Sequence, residues 1–185
     1  MEQKSIKSYA KFIAKAQILK NLPRSGWLLI KAPFESIADH TFRTSIIGLI
    51  LAKMAKLNEN QTLQLIQLCL LHDVEEIYIT DLHKIAKKYV QIDSKRVLRD
   101  LLENKALYLE YEKLTKNKKI FDLFLDADRL ECYLTAKYYA DLGYKTNQWL
   151  KDIPKTIKTK PGKILLKEFK KINSIKIIDD AMDRS

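Results

Sequence analysis

The chain has 185 residues, of which 46% are hydrophobic and 31% are charged, a balance typical of a globular protein rather than a disordered one. This length predicts a single domain over residues 1–185, with a core at about 5–142 and a variable helical tail at 143–185. The formal net charge of +11 is compatible with nucleic-acid binding, and equally with a small anionic substrate.

The cysteines and the absence of long apolar runs predict the cellular environment. Cys69 and Cys132 each lie in an apolar helical pattern, which favours buried free thiols over a disulfide. The N-terminus lacks the pattern of a secretory signal, and no apolar stretch has the length of a membrane span. We therefore expect a cytoplasmic protein with no membrane partner.

Apolar residues recur at helical spacing along most of the chain, and there is no strand-like alternation, so an all-α fold is predicted. The four glycines and four prolines lie mainly between the helical segments. Ser36, with Asp39 three residues later, is predicted to cap the second helix. The predicted helices are 5–20, 37–56, 61–78, 81–90, 94–114 and 120–142, with weaker segments at 163–172 and 175–182.

The apolar run from Leu63 to Leu71 ends at His72-Asp73, which places two metal-binding groups against buried structure. If the helix continues through this pair, Glu76 lies on the same face as both. A buried carboxylate costs several kcal/mol unless it is paired or bound to a metal. Metal binding would account for the histidine and the aspartate together.

Other helices offer further candidate ligands. His40 and His72 lie on the two most apolar helices, where a lone histidine is more often a core residue. Asp126 lies on a more polar face of the helix 120–142 and is predicted to be a surface residue. His83 is predicted to be a surface residue that could line the site. Asp128 is the better candidate ligand, because it lies on the apolar stripe with Phe121, Phe124, Leu125 and Cys132.

A His-Asp pair alone is common by chance, but four longer segments of this chain are more specific. Over about residues 8–142 they resemble the 5'-deoxynucleotidase branch of the HD-domain metal phosphohydrolases. The segments are Leu19-Lys20 with Pro23-Arg24-Ser25-Gly26-Trp27, Glu35-Ser36-Ile37-Ala38-Asp39-His40 with Arg43, His72-Asp73-x-x-Glu76 with Asp81, and Ala127-Asp128-Arg129-Leu130-Glu131.

The resemblance implies an HD-domain helical bundle with a metal site at its centre, and a homodimer. One divalent cation, such as Mn²⁺ or Co²⁺, would be bound by His40, His72, Asp73 and Asp128. The chain departs from the family at Thr80, where the family usually has glycine.

By the same resemblance, Glu76 matches the residue that activates water, and Asp81 matches a residue near the sugar. Arg24 and Trp27 match loop residues that hold the nucleotide. Plain structural alternatives remain for several of these residues: Glu76 as a helix-surface glutamate, Asp81 as a helix cap and Trp27 as a loop anchor. Glu75 is predicted to face solvent, and Glu35 could either cap the second helix or touch substrate.

The implied function is hydrolysis of (deoxy)ribonucleoside 5'-monophosphates to nucleoside and phosphate, with a small anionic nucleotide as the substrate. A second hypothesis is another HD-type phosphohydrolase, acting on an alarmone or a nucleotide pyrophosphate. A third is a non-enzymatic basic nucleic-acid-binding module, which only the charge of +11 suggests. The complete set of candidate ligands argues against the third, so nucleic acid is not the expected partner.

Overall fold

The computed structural model describes residues 3–173, together with 176, 177 and 182. Within them the chain forms ten α-helices, three short 3-10 helices and no β-strand, which confirms the all-α fold class. The 3-10 helices are Gln17–Lys20, Ala86–Lys88 and Ile153–Thr156. The α-helices are α1 (Gln3–Ala16), α2 (Ser25–Leu28), α3 (Ile37–Met54), α4 (Glu59–Leu71), α5 (Glu76–Ile79), α6 (Ser94–Leu102), α7 (Lys105–Leu114), α8 (Lys118–Asp141), α9 (Asn147–Asp152) and α10 (Lys160–Phe169).

Helices α3, α4 and α8 pack against one another and carry most of the main buried cluster. Leu51 of α3, Leu65 of α4 and Leu130 of α8 are fully buried in it. Removing each such side chain from water contributes about 1.5–3 kcal/mol to folding. Gly48 lets α3 and α4 approach closely, since a Cβ there would lie 2.7 Å from Cys69 Sγ. This packing sets the distance between the two helices that carry the candidate histidines.

The predicted start of the second helix is confirmed, and so is the end of the helix 120–142. Ser36 and Asp39 form a reciprocal capping box at the N-terminus of α3. Helix α8 ends at Asp141, and Gly143 follows with φ of 93°, a conformation that favours glycine. In the predicted segment 175–182, residues 176, 177 and 182 are helical and the other positions lie outside the described residues.

Three predicted helices are wrong in extent. The segment 61–78 is interrupted after Leu71, and its turns at 72–75 use shorter-range hydrogen bonds before α5 begins. In 81–90 only a 3-10 helix forms. The segment 94–114 is two helices, because Glu103 adopts a left-handed φ of 49° and the Asn104 side chain then caps α7.

Asp126 is fully buried, so its prediction as a surface residue is wrong. Its carboxylate accepts hydrogen bonds from the backbone N–H groups of Lys158 (2.9 Å) and Thr159 (2.7 Å). The segment that precedes α10 therefore covers this face of α8. Ile157 and Leu166, from the same part of the chain, lie in the main buried cluster. The helical periodicity of α8 contains no information about this later segment.

No helix among the described residues is both long enough and apolar enough to cross a membrane. The cysteines Cys69 and Cys132 are both free thiols, as predicted, with Cys69 fully buried and Cys132 half-buried.

Thr80 ends α5 with φ of 60° and ψ of 167°, a region that only glycine adopts without strain. We expect Thr80→Gly to raise the free energy of unfolding by about 1 kcal/mol, because relief of strain exceeds the added entropy of glycine in the unfolded chain. Urea unfolding measures this change. Thr115→Gly is the matched control, because Thr115 is an exposed threonine at an ordinary φ of −73°. The control substitution should not stabilise the protein, and equal stabilisation by both would contradict the account.

Candidate metal centre

Four predicted ligands lie together where α3, α4 and α8 meet. His40 Nε2 lies 3.2 Å from His72 Nε2, 3.2 Å from Asp128 Oδ1 and 3.7 Å from Asp73 Oδ2. His72 Nε2 lies 3.0 Å from the same Asp73 oxygen. Donor atoms of His40, His72 and Asp128 lie within 4.8 Å of one another, a spacing at which they could hold a metal ion. The local fold supplies this geometry, because the chain turns immediately after α4 and directs His72 and Asp73 to the same point.

Both histidines are held by the ring nitrogen that points away from this centre. His72 Nδ1 lies 2.9 Å from the Cys69 carbonyl oxygen, to which it can only donate. His40 Nδ1 contacts the buried carboxylate of Glu131. Each bond places the proton of a neutral ring on Nδ1 and leaves the Nε2 lone pair facing the centre. Metal-binding histidines are typically oriented in this way by carboxylates and backbone carbonyls.

The charges at the centre favour a cation. Burial and the charge of Arg24 oppose protonation of His40, yet hydrogen bonds to Asp128 and Glu131 raise its pKa to about 10. At neutral pH the ring therefore carries a second proton, on Nε2, and a metal ion bound at that nitrogen would replace this proton. Although burial acts in the other direction, His72 and Arg24 hold the pKa of Asp73 below its usual range. The carboxylates here therefore remain negative and attract positive charge. A set of two imidazoles and two carboxylates fits a divalent metal ion.

A network behind His40 connects this centre to the loop before α3. Arg43 donates to Glu131 and to Glu35 Oε1 (3.3 Å). The Thr135 hydroxyl lies 3.0 Å from an oxygen of each carboxylate and can donate its single proton to either one. Glu35 Oε2 in turn accepts the indole N–H of Trp27 at 2.6 Å. In the sequence, Glu131 is part of the motif around Asp128, and no role was predicted for it. Its spacing of three residues from Asp128 on one helix was the available signal.

Glu76 is the first residue of α5 and is 6% exposed. Its Oε2 atom has no hydrogen-bond partner among the described residues. Burial, then the charges of Asp73 and Asp81, raise the pKa of Glu76 to about 9. A surface glutamate would have none of these properties. A buried carboxylate with an unpaired oxygen, close to a candidate ligand, is a typical functional group.

Arg24 and Asp81 hold the loop at residues 24–26 beside the centre. Arg24 Nη1 donates to Asp73 Oδ2 at 3.3 Å. Asp81 Oδ2 accepts from the Ser25 N–H at 2.7 Å and from its hydroxyl at 3.2 Å. Asp81 thus fixes the start of α2, the short helix that follows Arg24.

Trp27 is 3% exposed and its N–H is bonded to Glu35. Its ring lies between those of Tyr139 and Trp149, each with a centroid separation of 5.3 Å. These contacts anchor the loop that contains Arg24.

A cavity of about 540 Å³ adjoins the centre and is large enough for a small organic ligand. Arg24 and Asp81 line it, as does His83, which is half-buried. Glu75, predicted to face solvent, is half-buried and accepts a hydrogen bond from the Ser94 hydroxyl at 3.2 Å.

The chain is similar to known proteins in both sequence and fold. The family model described as HD domain matches residues 16–167. The 5'-deoxynucleotidase HDDC2 of Xenopus laevis is 30% identical over 151 residues, which is 74% of this chain and 71% of that protein. The structure is similar to a conserved hypothetical protein from Pyrococcus furiosus, with a TM-score of 0.72, 27% identity and coverage of 87% of this chain and 98% of that one.

A more distant structure shares the fold alone. It is the cyanophage S-2L HD phosphohydrolase DatZ, bound to dA and one catalytic Zn²⁺ ion, with 16% identity and a TM-score of 0.61. The alignment covers 85% of this chain and 94% of that one. This chain belongs to the HD-domain family, on its 5'-deoxynucleotidase branch.

Proposed function

We propose that this chain is a metal-dependent 5'-nucleotidase that hydrolyses (deoxy)ribonucleoside 5'-monophosphates to nucleoside and phosphate. The observation that carries the proposal is the convergence of two imidazoles and two carboxylates beside a cavity lined by Arg24. The name of the Xenopus relative, a 5'-deoxynucleotidase, supports the substrate class.

His40, His72, Asp73 and Asp128 would hold one divalent cation. Nitrogen and carboxylate donors suit several first-row divalent ions, so Mn²⁺ and Co²⁺ are our candidates, with Zn²⁺ as the ion of the DatZ structure. When bound, such a cation lowers the pKa of water and neutralises charge on a phosphate.

The remaining site residues would bind substrate and move a proton. Arg24, already within reach of Asp73, would pair with phosphate oxygens. Glu76 would accept a proton from the attacking water through its unpaired Oε2. Any positive charge that offsets Asp73 lowers the pKa of Glu76 and brings it towards the range of a base at neutral pH.

Asp81 and Trp27 would act mainly through the loop at residues 24–26. Asp81 lines the cavity while one of its oxygens holds Ser25, so we propose that it fixes the loop and lies near the sugar. Trp27 is almost fully covered, so we propose that it supports the wall of the cavity from behind.

The exposed face of α3 supports the homodimer that we propose. Phe42, Ile46, Leu49 and Ile50 recur at helical spacing and are 68%, 47%, 53% and 43% exposed. A second copy of the chain is the partner we expect there, in a cytoplasmic protein whose described cysteines are free.

Sedimentation equilibrium should show dimers for the wild type and monomers for Ile46→Lys. Leu63→Lys, at a 57% exposed position on α4, is the control for replacing an exposed apolar side chain with a charged one. A monomeric wild type at tens of micromolar concentration contradicts this proposal.

Release of inorganic phosphate tests the reaction and Glu76 together. Protein reconstituted with Mn²⁺ or Co²⁺ should release phosphate from deoxy- and ribonucleoside monophosphates. We expect Glu76→Gln to lower kcat by at least about tenfold with its metal content retained, because the amide cannot accept the proton.

Glu75→Gln is the matched control for this substitution, since the neighbouring carboxylate accepts a hydrogen bond from Ser94, whereas Glu76 Oε2 has no partner among the described residues. Full activity in Glu76→Gln removes the proposed role of Glu76. Pyrophosphate as the product would instead support the alternative of a nucleotide pyrophosphate hydrolase.

Glu131 should control metal affinity through His40. We expect Glu131→Gln to weaken Mn²⁺ binding by about 10- to 100-fold, because the amide orients and polarises the imidazole less strongly than the carboxylate does. Competition with a chelator measures this affinity without any substrate. Glu35→Gln is the control, since Glu35 shares Arg43 and Thr135 with Glu131 but does not contact His40. Equal effects of the two substitutions would show that only the general network matters.

A further inference from the structure

The segment after Gly143 carries none of the recognised motifs, yet it forms part of the cavity wall. Helix α9 packs against α8, and the 3-10 helix that follows it does the same. The cavity residues from this segment are Gln148, Trp149, Asp152, Ile153 and Thr156. A segment without catalytic residues that lines the site is a candidate for substrate recognition.

The cavity differs in character between its walls. Arg24 contacts Asp73, so the wall that contains Arg24 adjoins the metal centre. The wall formed by α9 and the 3-10 helix after it has an aromatic ring in Trp149 and an apolar neighbour in Ile153. It also has a polar group, in which Gln148 and Lys155 both donate to Asp152. Phosphate suits the first wall because of its charge. A flat ring with polar edges, such as a nucleobase, suits the second.

The two tryptophans of the chain are not equivalent in this cavity. Trp27 is 3% exposed, and its N–H is already bonded to Glu35. Trp149 is half-buried and packs over Trp27 at a centroid distance of 5.3 Å with the planes tilted by 37°. Trp149 therefore has the greater accessible aromatic surface of the two. Trp27 supports it from behind.

We infer that Trp149 is the aromatic contact for the base of the bound nucleotide, with Gln148 and Asp152 at the edge of that base. The inference rests on the proposed nucleotidase function and assigns the part of the substrate distant from the phosphate. Stacking on an aromatic ring tolerates every base, because every base has a π-face. The hydrogen-bonding groups of Gln148 and Asp152 then distinguish one base from another.

Two substrates that differ only in the base test this assignment. We compare dAMP with 2-deoxyribose 5-phosphate, which has the same sugar and phosphate but no base, using Mn²⁺-reconstituted protein. Trp149→Leu should lower kcat/KM for dAMP by about tenfold or more, mainly through KM, because base stacking is lost. The value for 2-deoxyribose 5-phosphate should change by less than about twofold, because that substrate never makes the contact. Trp149→Phe should recover most of the loss.

Tyr144→Leu is the matched control. Tyr144 is also a half-buried aromatic residue packed against the cluster of Trp27 and Tyr139, but it does not line the cavity. This substitution should leave the ratio of the two kcat/KM values unchanged. If Trp149 had a purely structural role, Trp149→Leu would lower kcat/KM for both substrates by the same factor. That result would overturn the inference.

Binding of deoxyadenosine, measured by calorimetry, separates this inference from the reaction. The nucleoside has a base but no phosphate, so it reports on the α9 wall even if no metal supports hydrolysis. The wild type could bind deoxyadenosine yet hydrolyse none of the substrates, with the binding lost in Trp149→Leu. That result would contradict the proposed function and still support the base site. Equal deoxyadenosine affinity in the wild type and Trp149→Leu, or no binding by the wild type, overturns the base site.

Discussion

Negative charge is buried where α3, α4 and α8 meet, and the surrounding structure follows from the need to offset it. Asp73 and Asp128 lie within 4 Å of His40 Nε2, and Glu131 holds the other nitrogen of that ring. Arg24 and Arg43 then offset the outer sides of this cluster. Burying these carboxylates costs folding free energy unless positive charge lies close to them. A divalent cation held among His40, His72 and Asp128, with Asp73 beside them, would offset this charge. The close packing of Gly48 against Cys69 sets the spacing of the helices that carry both histidines.

The features of this arrangement that depend on local sequence patterns were predictable from the sequence. Recurrence of apolar residues at helical spacing predicted the all-α fold, and the Ser36–Asp39 pair predicted the start of α3. Motifs predicted the four residues that converge at the centre. The interruption after Leu71 was not predictable in this way, because the apolar pattern continues through a turn that only tertiary contacts select. The same holds for the left-handed Glu103, which is stabilised by ion pairs with Lys11 and Lys15, both distant in sequence.

Residues distant in sequence account for the other differences. The helical pattern of α8 predicted Asp126 to be a surface residue, but in the structure the backbone of Lys158 and Thr159 covers it. The packing of that segment against α8 also brings α9 and Trp149 to the cavity. No motif in residues 143–185 predicted this position. The residues that we propose for substrate recognition therefore come from a loop near the N-terminus, the turn after α5 and a helix near the C-terminus. The candidate metal ligands come instead from α3, α8 and the turn after α4, and these helices form the main buried cluster.

The most direct test of the central claim is a titration of metal-free protein with Mn²⁺, with bound metal and phosphate release from dAMP measured in the same samples. The account predicts that both saturate together at one equivalent per chain, and that Asp73→Ala and His72→Ala lose both. Full phosphate release from metal-free protein, or unchanged metal binding in Asp73→Ala, would contradict it.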